Sequence, residues 1–185
     1  PATIHDWRRG NNVIWHGSVG SKMLMAQVGR EICLTVSFFD SIILTRGAFH
    51  HAVNYRSAML FGRAGVIDDP LEKQQEAEAL IENFLPGRNA LVVPAAPLEM
   101  KQVVFLKMPI DQAVAKIRSY PASHEVEENR AHPVWAGEIP IETRIGKATP
   151  CSTLAPGITP GPDVEVYREG ARLDKLPQIL TSLRR

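Results

Sequence analysis

Cysteine is scarce in this sequence. Its two copies, Cys33 in an apolar run and Cys151 in a proline-rich tail, form no C-x-x-C pair and stand at no metal-ligand spacing. A disulfide framework and a cysteine-based metal site are thereby excluded as organising devices, and a reduced, cytoplasmic setting is expected. Long apolar runs are missing too. Nothing reaches the roughly eighteen residues that a membrane span needs, and no signal-peptide pattern opens the chain, so no membrane partner is expected. Charge of one sign is also lacking: 21 basic residues stand against 20 acidic ones for a net charge of +1, which leaves no field to draw nucleic acid as a partner. Two catalytic signatures are absent as well. No G-x-S-x-G elbow accompanies a serine, and the one glycine-rich stretch with a lysine departs from the P-loop pattern.

What is present is a chain of 185 residues with 44% hydrophobic content, enough for one domain with a real core. Its first third is rich in β-branched and aromatic runs. ATIHDW and VIWHG flank the turn residues Arg9 to Asn12 and predict a hairpin. SKMLMAQV predicts a short helix with Ser21 as N-cap and Gly29 as its stop. EICLTVSFFD and SIILTRG predict a second hairpin, turning at Asp40-Ser41. NYRSAMLFGRAGVID predicts a longer strand with bends at Gly62 and Gly65. Connections this short cannot make parallel crossovers, so the sheet is expected to be antiparallel and able to curl into a barrel.

The period then changes. Asp69 as cap, Pro70 at the first helical position and the stripe Leu71, Ala77, Leu80, Ile81 and Phe84 predict a helix over 70–84 ended by Pro86-Gly87, with the charged residues between them solvated. KQVVFLKMP predicts a strand, DQAVAKIRSY a helix started by Asp111, 121–132 a loop, and VWAGEIPIETRIG a returning strand pair. The stretch 150–162 predicts an extended proline-rich arm, and ARLDKLPQILTSLRR a terminal helix limited by Pro177.

Two stretches carry candidate chemistry. HGSVGSK, His16 to Lys22, crowds glycines, hydroxyls and a lysine where a strand gives way to a helix, the chemistry that attracts an anion; an ordinary turn and helix cap is the competing reading. AFHHAVNYRSAMLFG concentrates His50, His51, Asn54, Tyr55, Arg56 and Ser57 at a strand start. Adjacent histidines on extended chain point to opposite sides and no acidic residue lies nearby, so no metal site is expected. Arg56 offers a planar fork suited to phosphate or a ring carbonyl, and Asn54 offers a donor and an acceptor. A surface histidine pair and a surface salt bridge are the alternative there.

The run GREICLTVSFFDSIILTRGAFHHAVNYRSAMLFGRAGVIDDPLEK, preceded by WHGSVGSKMLM and followed by FLPGR and HPVWAGEIPI, resembles the flavin-nucleotide-binding branch of the pyridoxamine 5'-phosphate oxidase-like split barrels, related to the nitroimidazole-resistance proteins. The resemblance covers Pro1 to about Pro162, and its two motifs, HGS-x-x-S-[RK]-M-L and FHH-x-x-NYRS-x-x-x-FG-[RK]-A, are specific in combination.

The resemblance implies a mainly β fold with flanking helices, an antiparallel Greek-key split β-barrel of FMN-binding type over 1–149, with 150–185 as arm and C-terminal helix. In other members a helix and a first strand pair precede the position of Pro1, so this chain is expected to lack them. FMN is the implied cofactor. HGSVGSK, with Gly17, would be its phosphate cradle, where Ser18, Ser21 and Lys22 contact the phosphate and Arg56 and Ser57 reach it from the neighbouring strand, while residues Thr3 to Trp7 together with His16 line the ring. Arg56 or His51 would favour the reduced ring, and Asn54 and Tyr55 complete the strand-borne set. Lys22 stands where arginine is commoner, keeping the charge and losing the bidentate fork. The implied assembly is a homodimer with the flavin at its interface, Trp135 closing the partner's site.

The implied activity is an FMN-dependent oxidoreductase, flavin-reductase, nitroreductase or pyridoxamine phosphate oxidase-like, acting on a small-molecule substrate with no assigned catalytic acid, base or nucleophile. The alternatives are a carrier that holds a flavin nucleotide, haem or deazaflavin without turnover, and a barrel that has lost its cofactor and acts through its dimer surface.

Overall fold

Eight strands and four short or medium helices account for most of the regular structure in the computed structural model, which describes residues 5–122 and 127–176. Residues 1–4, part of the expected first strand, 123–126 in the expected loop and 177–185 in the expected terminal helix lie outside the described residues. The chain divides into two compact units, one from 1–32, 63–109 and 143–185, the other from 33–62 and 110–142.

In the first unit, β1 (Asp6–Arg9) and β2 (Asn12–Ser18) form the expected hairpin across Gly10 and Asn11. β2 pairs antiparallel along its whole length with β6 (Val103–Pro109), and β5 (Gly65–Val66) closes the order β1-β2-β6-β5. Both faces of this sheet are used, which is why its strands read as nearly unbroken apolar runs. On one face Val13, Trp15, Leu106 and Met108 are almost fully buried, and the Trp15 indole N–H donates to Gln27 Oε1 at 3.1 Å. On the other, Trp7, Ile14, Ile67 and Phe105 form a cluster against Ala77 and Leu80 of α2 (Pro70–Phe84) and Met100 of α3 (Pro97–Lys101).

Helix α2 begins and ends where the sequence predicts, with the Asp69 side chain accepting from Glu72 N and Pro70 in the first turn. Its faces differ from the expectation. Leu71 is exposed, whereas Glu76 is buried because its carboxylate accepts the Trp7 indole N–H at 3.2 Å and pairs with Arg9 at 3.2 Å. A hydrogen-bonding need on the sheet has overridden the apolar stripe. The chain returns to this unit late. α4 (Pro162–Glu165) brings the buried Asp163 to Arg88 at 2.8 Å, and the Tyr167 hydroxyl donates to the Phe84 carbonyl at the end of α2.

The second unit holds a sheet ordered β7-β4-β3-β8, from β3 (Glu31–Leu44), β4 (Ala52–Arg63), β7 (Gln112–Arg118) and β8 (Gly137–Pro140). Two expectations are corrected here. The predicted turn at Asp40-Ser41 is absent, and β3 runs through it as one strand, because both polar residues are satisfied inside the sheet: the Asp40 carboxylate by Arg56, its carbonyl by Ile141 N at 2.9 Å, and Ser41 Oγ by Asn54. The predicted helix after Asp111 is strand β7, paired antiparallel with β4 from Tyr55↔Arg118 to Phe61↔Gln112. The returning strand pair is one strand, β8, on the edge of β3, plus an isolated bridge between Arg144 and Arg172. The antiparallel, mainly β class with flanking helices stands as expected. Among the described residues no helix is long and apolar enough to cross a membrane.

Removing the acceptor on α2 tests this packing. Glu76→Ala leaves a buried indole N–H unpaired and is expected to lower unfolding stability by about 2 kcal/mol. Breaking the more exposed Lys107–Glu72 pair with Glu72→Ala should cost less than about 1 kcal/mol. Urea denaturation of the two variants measures the difference.

Candidate functional site

The two stretches that carry candidate chemistry fall in different units, and each is organised by its own sheet. In the first unit, HGSVGSK is the end of β2, a turn, and the start of α1 (Lys22–Met25). Ser18 Oγ accepts from Gly20 N at 3.2 Å and Ser21 Oγ caps α1 by accepting from Leu24 N at 3.3 Å, so both hydroxyls spend a lone pair on the backbone and keep their protons to donate. Lys22 is exposed and pairs with no carboxylate among the described residues. Gly17 has a steric reason: a Cβ there would lie 2.3 Å from Leu24 Cδ1, so the missing side chain is what lets α1 close onto the strand.

His16 faces away from that turn. The register with β6 puts it opposite Phe105. Its ring stacks on Phe105 at 5.6 Å and lies 6.0 Å from both His5 and Trp7, while His5 packs on Phe84 at 4.6 Å. Its Nδ1 is buried with no hydrogen-bond partner among the described residues. Burial pushes the His16 imidazole below its ordinary value, and the neighbouring His5 lowers it further.

In the second unit, the cluster around β4 separates into three parts. Asn54 is buried and fully engaged: its amide donates to Ser41 Oγ at 3.0 Å and the Tyr120 carbonyl at 3.1 Å, and its carbonyl accepts from Arg118 Nη1 and Tyr120 N, both at 3.0 Å. Arg56 makes a two-pronged pair with Asp40, Nε to Oδ2 at 3.0 Å and Nη2 to Oδ1 at 2.8 Å, and lies 5.5 Å over the Phe38 ring. Its fork is occupied by protein, as the surface salt-bridge reading has it. Tyr55 and Ser57 lie half-buried on the same strand, opposite Arg118 and Lys116. Trp135 is largely exposed and folds back over Gly137, where a Cβ would come within 2.6 Å of its ring.

The third part is a cavity of about 280 Å³ lined by Thr45, Phe49, His50, His51, Arg118 and Tyr120, among others. Both histidines line it. Residues Ala48–His50 form a single 3-10 turn ahead of β4, so the chain at His50 is not extended. This cavity is what the sequence reading missed, and no spacing rule for strands would have found it. Among the described residues no group of three metal-ligating side chains assembles.

Residues 3–117 match the pyridoxamine 5'-phosphate oxidase family, and the chain belongs to that family. Its fold is the antiparallel split-barrel type of these proteins. Two solved structures extend the likeness over most of the molecule. The flavocytochrome Anf3 from Azotobacter vinelandii is 32% identical, with 90% of this chain and 78% of that one covered at a TM-score of 0.83. The FAD and heme binding protein from Mycobacterium smegmatis is 29% identical, with 91% and 83% covered at a TM-score of 0.84. No curated protein matches the chain.

The His16 environment has a measurable pH signature. An imidazole whose affinity for protons is depressed by folding binds its proton more readily in the unfolded chain. Its contribution is therefore full above the ordinary value of 6.5 and is lost as pH falls below it. Stability from urea melts is expected to drop between about pH 7.5 and 5.5, and the His16→Phe variant, which removes the titrating group, should show a shallower drop.

Proposed function

We propose that the chain is a cytoplasmic flavin-dependent oxidoreductase that holds FMN at the HGSVGSK turn, acts on a small molecule, and carries haem as a second redox group. The observation that carries the reading is the agreement of two relatives over 90% and 91% of this chain, one a flavocytochrome and the other an FAD and heme binding protein. The donor set at the turn supports it: two hydroxyls with protons to give and an exposed lysine are suited to a terminal phosphate. A bound flavin supplies hydride or single-electron transfer at its ring, and the chain supplies position, charge and access. Ser18, Ser21 and Lys22 hold the phosphate in this reading. Arg56, engaged by Asp40, orders the strand beside Ser57. FAD in place of FMN is the second reading, favoured by the Mycobacterium smegmatis relative.

The absorption spectrum of the purified protein, before and after incubation with FMN and desalting, tests the assignment. Retained flavin bands are expected, with FMN released on denaturation; FAD on release would establish the second reading. Bleaching by NADH or NADPH is expected of an oxidoreductase and not of a carrier. Lys22→Ala should raise the FMN dissociation constant roughly tenfold, the worth of one charge-assisted hydrogen bond. A variant that binds FMN like the parent would remove the turn from the site.

The assembly in this reading is a homodimer, with Trp135 closing the partner's site. The support is the exposed apolar side chains of the second unit's sheet, with Met59, Val114 and Phe61 together on one face of β4 and β7, the kind of patch that marks an interaction surface. Sedimentation is expected to give twice the chain mass for the parent and a shift towards the single-chain mass for Phe39→Asp/Ile117→Lys.

A further inference from the structure

We infer that the cavity of the second unit binds a small carboxylate of single negative charge and flat body, seated on the Nε–Nη2 edge of Arg118. The inference is independent of the flavin reading, because every group it uses belongs to the second unit.

Two arginines stand on neighbouring strands of this sheet, and they use their forks differently. Arg56 on β4 spends its Nε–Nη2 edge on the Asp40 carboxylate, Nε to Oδ2 at 3.0 Å and Nη2 to Oδ1 at 2.8 Å. Arg118 on β7 is held by the other side of its fork. Its Nη1 donates to the Val53 carbonyl at 3.2 Å and to Asn54 Oδ1 at 3.0 Å, and the guanidinium lies 5.2 Å from the centre of the Tyr120 ring. Those contacts fix the group and use both Nη1 protons, while Nε and Nη2 make no hydrogen bond among the described residues. The parallel donors of that edge match the two oxygens of a carboxylate, and Asp40 shows the match on the strand alongside. Glu138, an acid of the same network, is engaged with Asn54 Nδ2 at 3.4 Å and makes no ion pair with Arg118.

The cavity has the size and the walls for such a ligand. Its volume of about 280 Å³ lies just under the range of pockets that take drug-sized molecules, which limits the ligand to a small one. Arg118, Thr45, His50 and His51 give the wall its polar character, and no acidic side chain lines it. Phe49 and Tyr120 supply flat aromatic surface, and Phe49 is 91% exposed, so a ring-bearing ligand would cover a side chain that its own chain leaves bare. Charge decides between anions. Arg118 is the one permanent cation in the wall and balances a single negative charge, whereas a phosphate monoester carries about −1.5 to −2 near neutral pH.

The test is a ligand-observed NMR titration of the purified full chain with sodium benzoate, with benzamide as the uncharged counterpart and inorganic phosphate as the competing anion. The parent is expected to bind benzoate at millimolar concentration or below, and about tenfold more tightly than benzamide or phosphate. Arg118→Lys, which keeps the charge and loses the fork, should weaken benzoate about tenfold, and Arg118→Gln should abolish its binding. Phe49→Ala, at an exposed position, should weaken it about fivefold. Urea melts show which variants fold; should Arg118→Gln fail to, the comparison of benzoate with benzamide in the parent and the Phe49→Ala result still decide. A parent that binds no benzoate, or binds benzamide equally well, would overturn the inference. Tighter binding of phosphate than of benzoate would overturn the choice of a single charge, and benzoate affinity unchanged in a folded Arg118→Gln variant would overturn the placement.

Discussion

A single buried amide organises the second unit. Asn54 sits on β4 and reaches β3 through Ser41, the end of β7 through Arg118, the chain beyond it through Tyr120, and β8 through Glu138 at 3.4 Å. Four strands therefore answer to one side chain with two donors and two lone pairs, every one of which is used. An unpaired amide in that position would cost far more than any of its bonds contributes, so the strands have little freedom to slide past one another. The cavity inherits that rigidity. Arg118 is held by the same carbonyl oxygen that fixes Asn54, and Tyr120, which forms another wall, is bonded to it twice.

Asn54 also illustrates the limit of reading polar residues from sequence. Its donor and acceptor suggest ligand recognition, and the same two groups serve equally well to join strands; only the tertiary partners decide. Arg56 has the same lesson with the opposite exposure. Its fork, suited to a phosphate, is filled by Asp40, a residue that the sequence pattern assigns to a turn. Each misreading follows from the other, because Asp40 and Ser41 look like turn residues only while their partners on β4 are unknown.

The elements legible in advance were those fixed by local chemistry. The β1–β2 hairpin, the Ser21 cap, the 70–84 helix with its Asp69–Pro70 start and strand β6 all follow from nearby residues. β7 was illegible because its apolar residues, Ala113, Val114 and Ile117, have helical spacing, and what makes the segment a strand is pairing with β4, more than fifty residues earlier. The site divides in the same way. The hydroxyls and lysine of the HGSVGSK turn are visible as a motif. The cavity is not visible as one, since its walls come from β3, the 3-10 turn and the end of β7, which lie far apart in the sequence.

The order in which the chain visits its two units has a consequence for how it is made. The first unit draws on 1–32, 63–109 and 143–185, and the second on 33–62 and 110–142. A ribosome therefore completes the second unit's residues while the first still lacks Asp163 and Tyr167, the groups that pair with Arg88 and cap the last turn of α2. The unit begun first is finished last. Neither can be excised as one continuous fragment, and until Tyr167 is added the nascent chain carries a helix whose C-terminal carbonyl waits for a donor encoded eighty-three residues downstream.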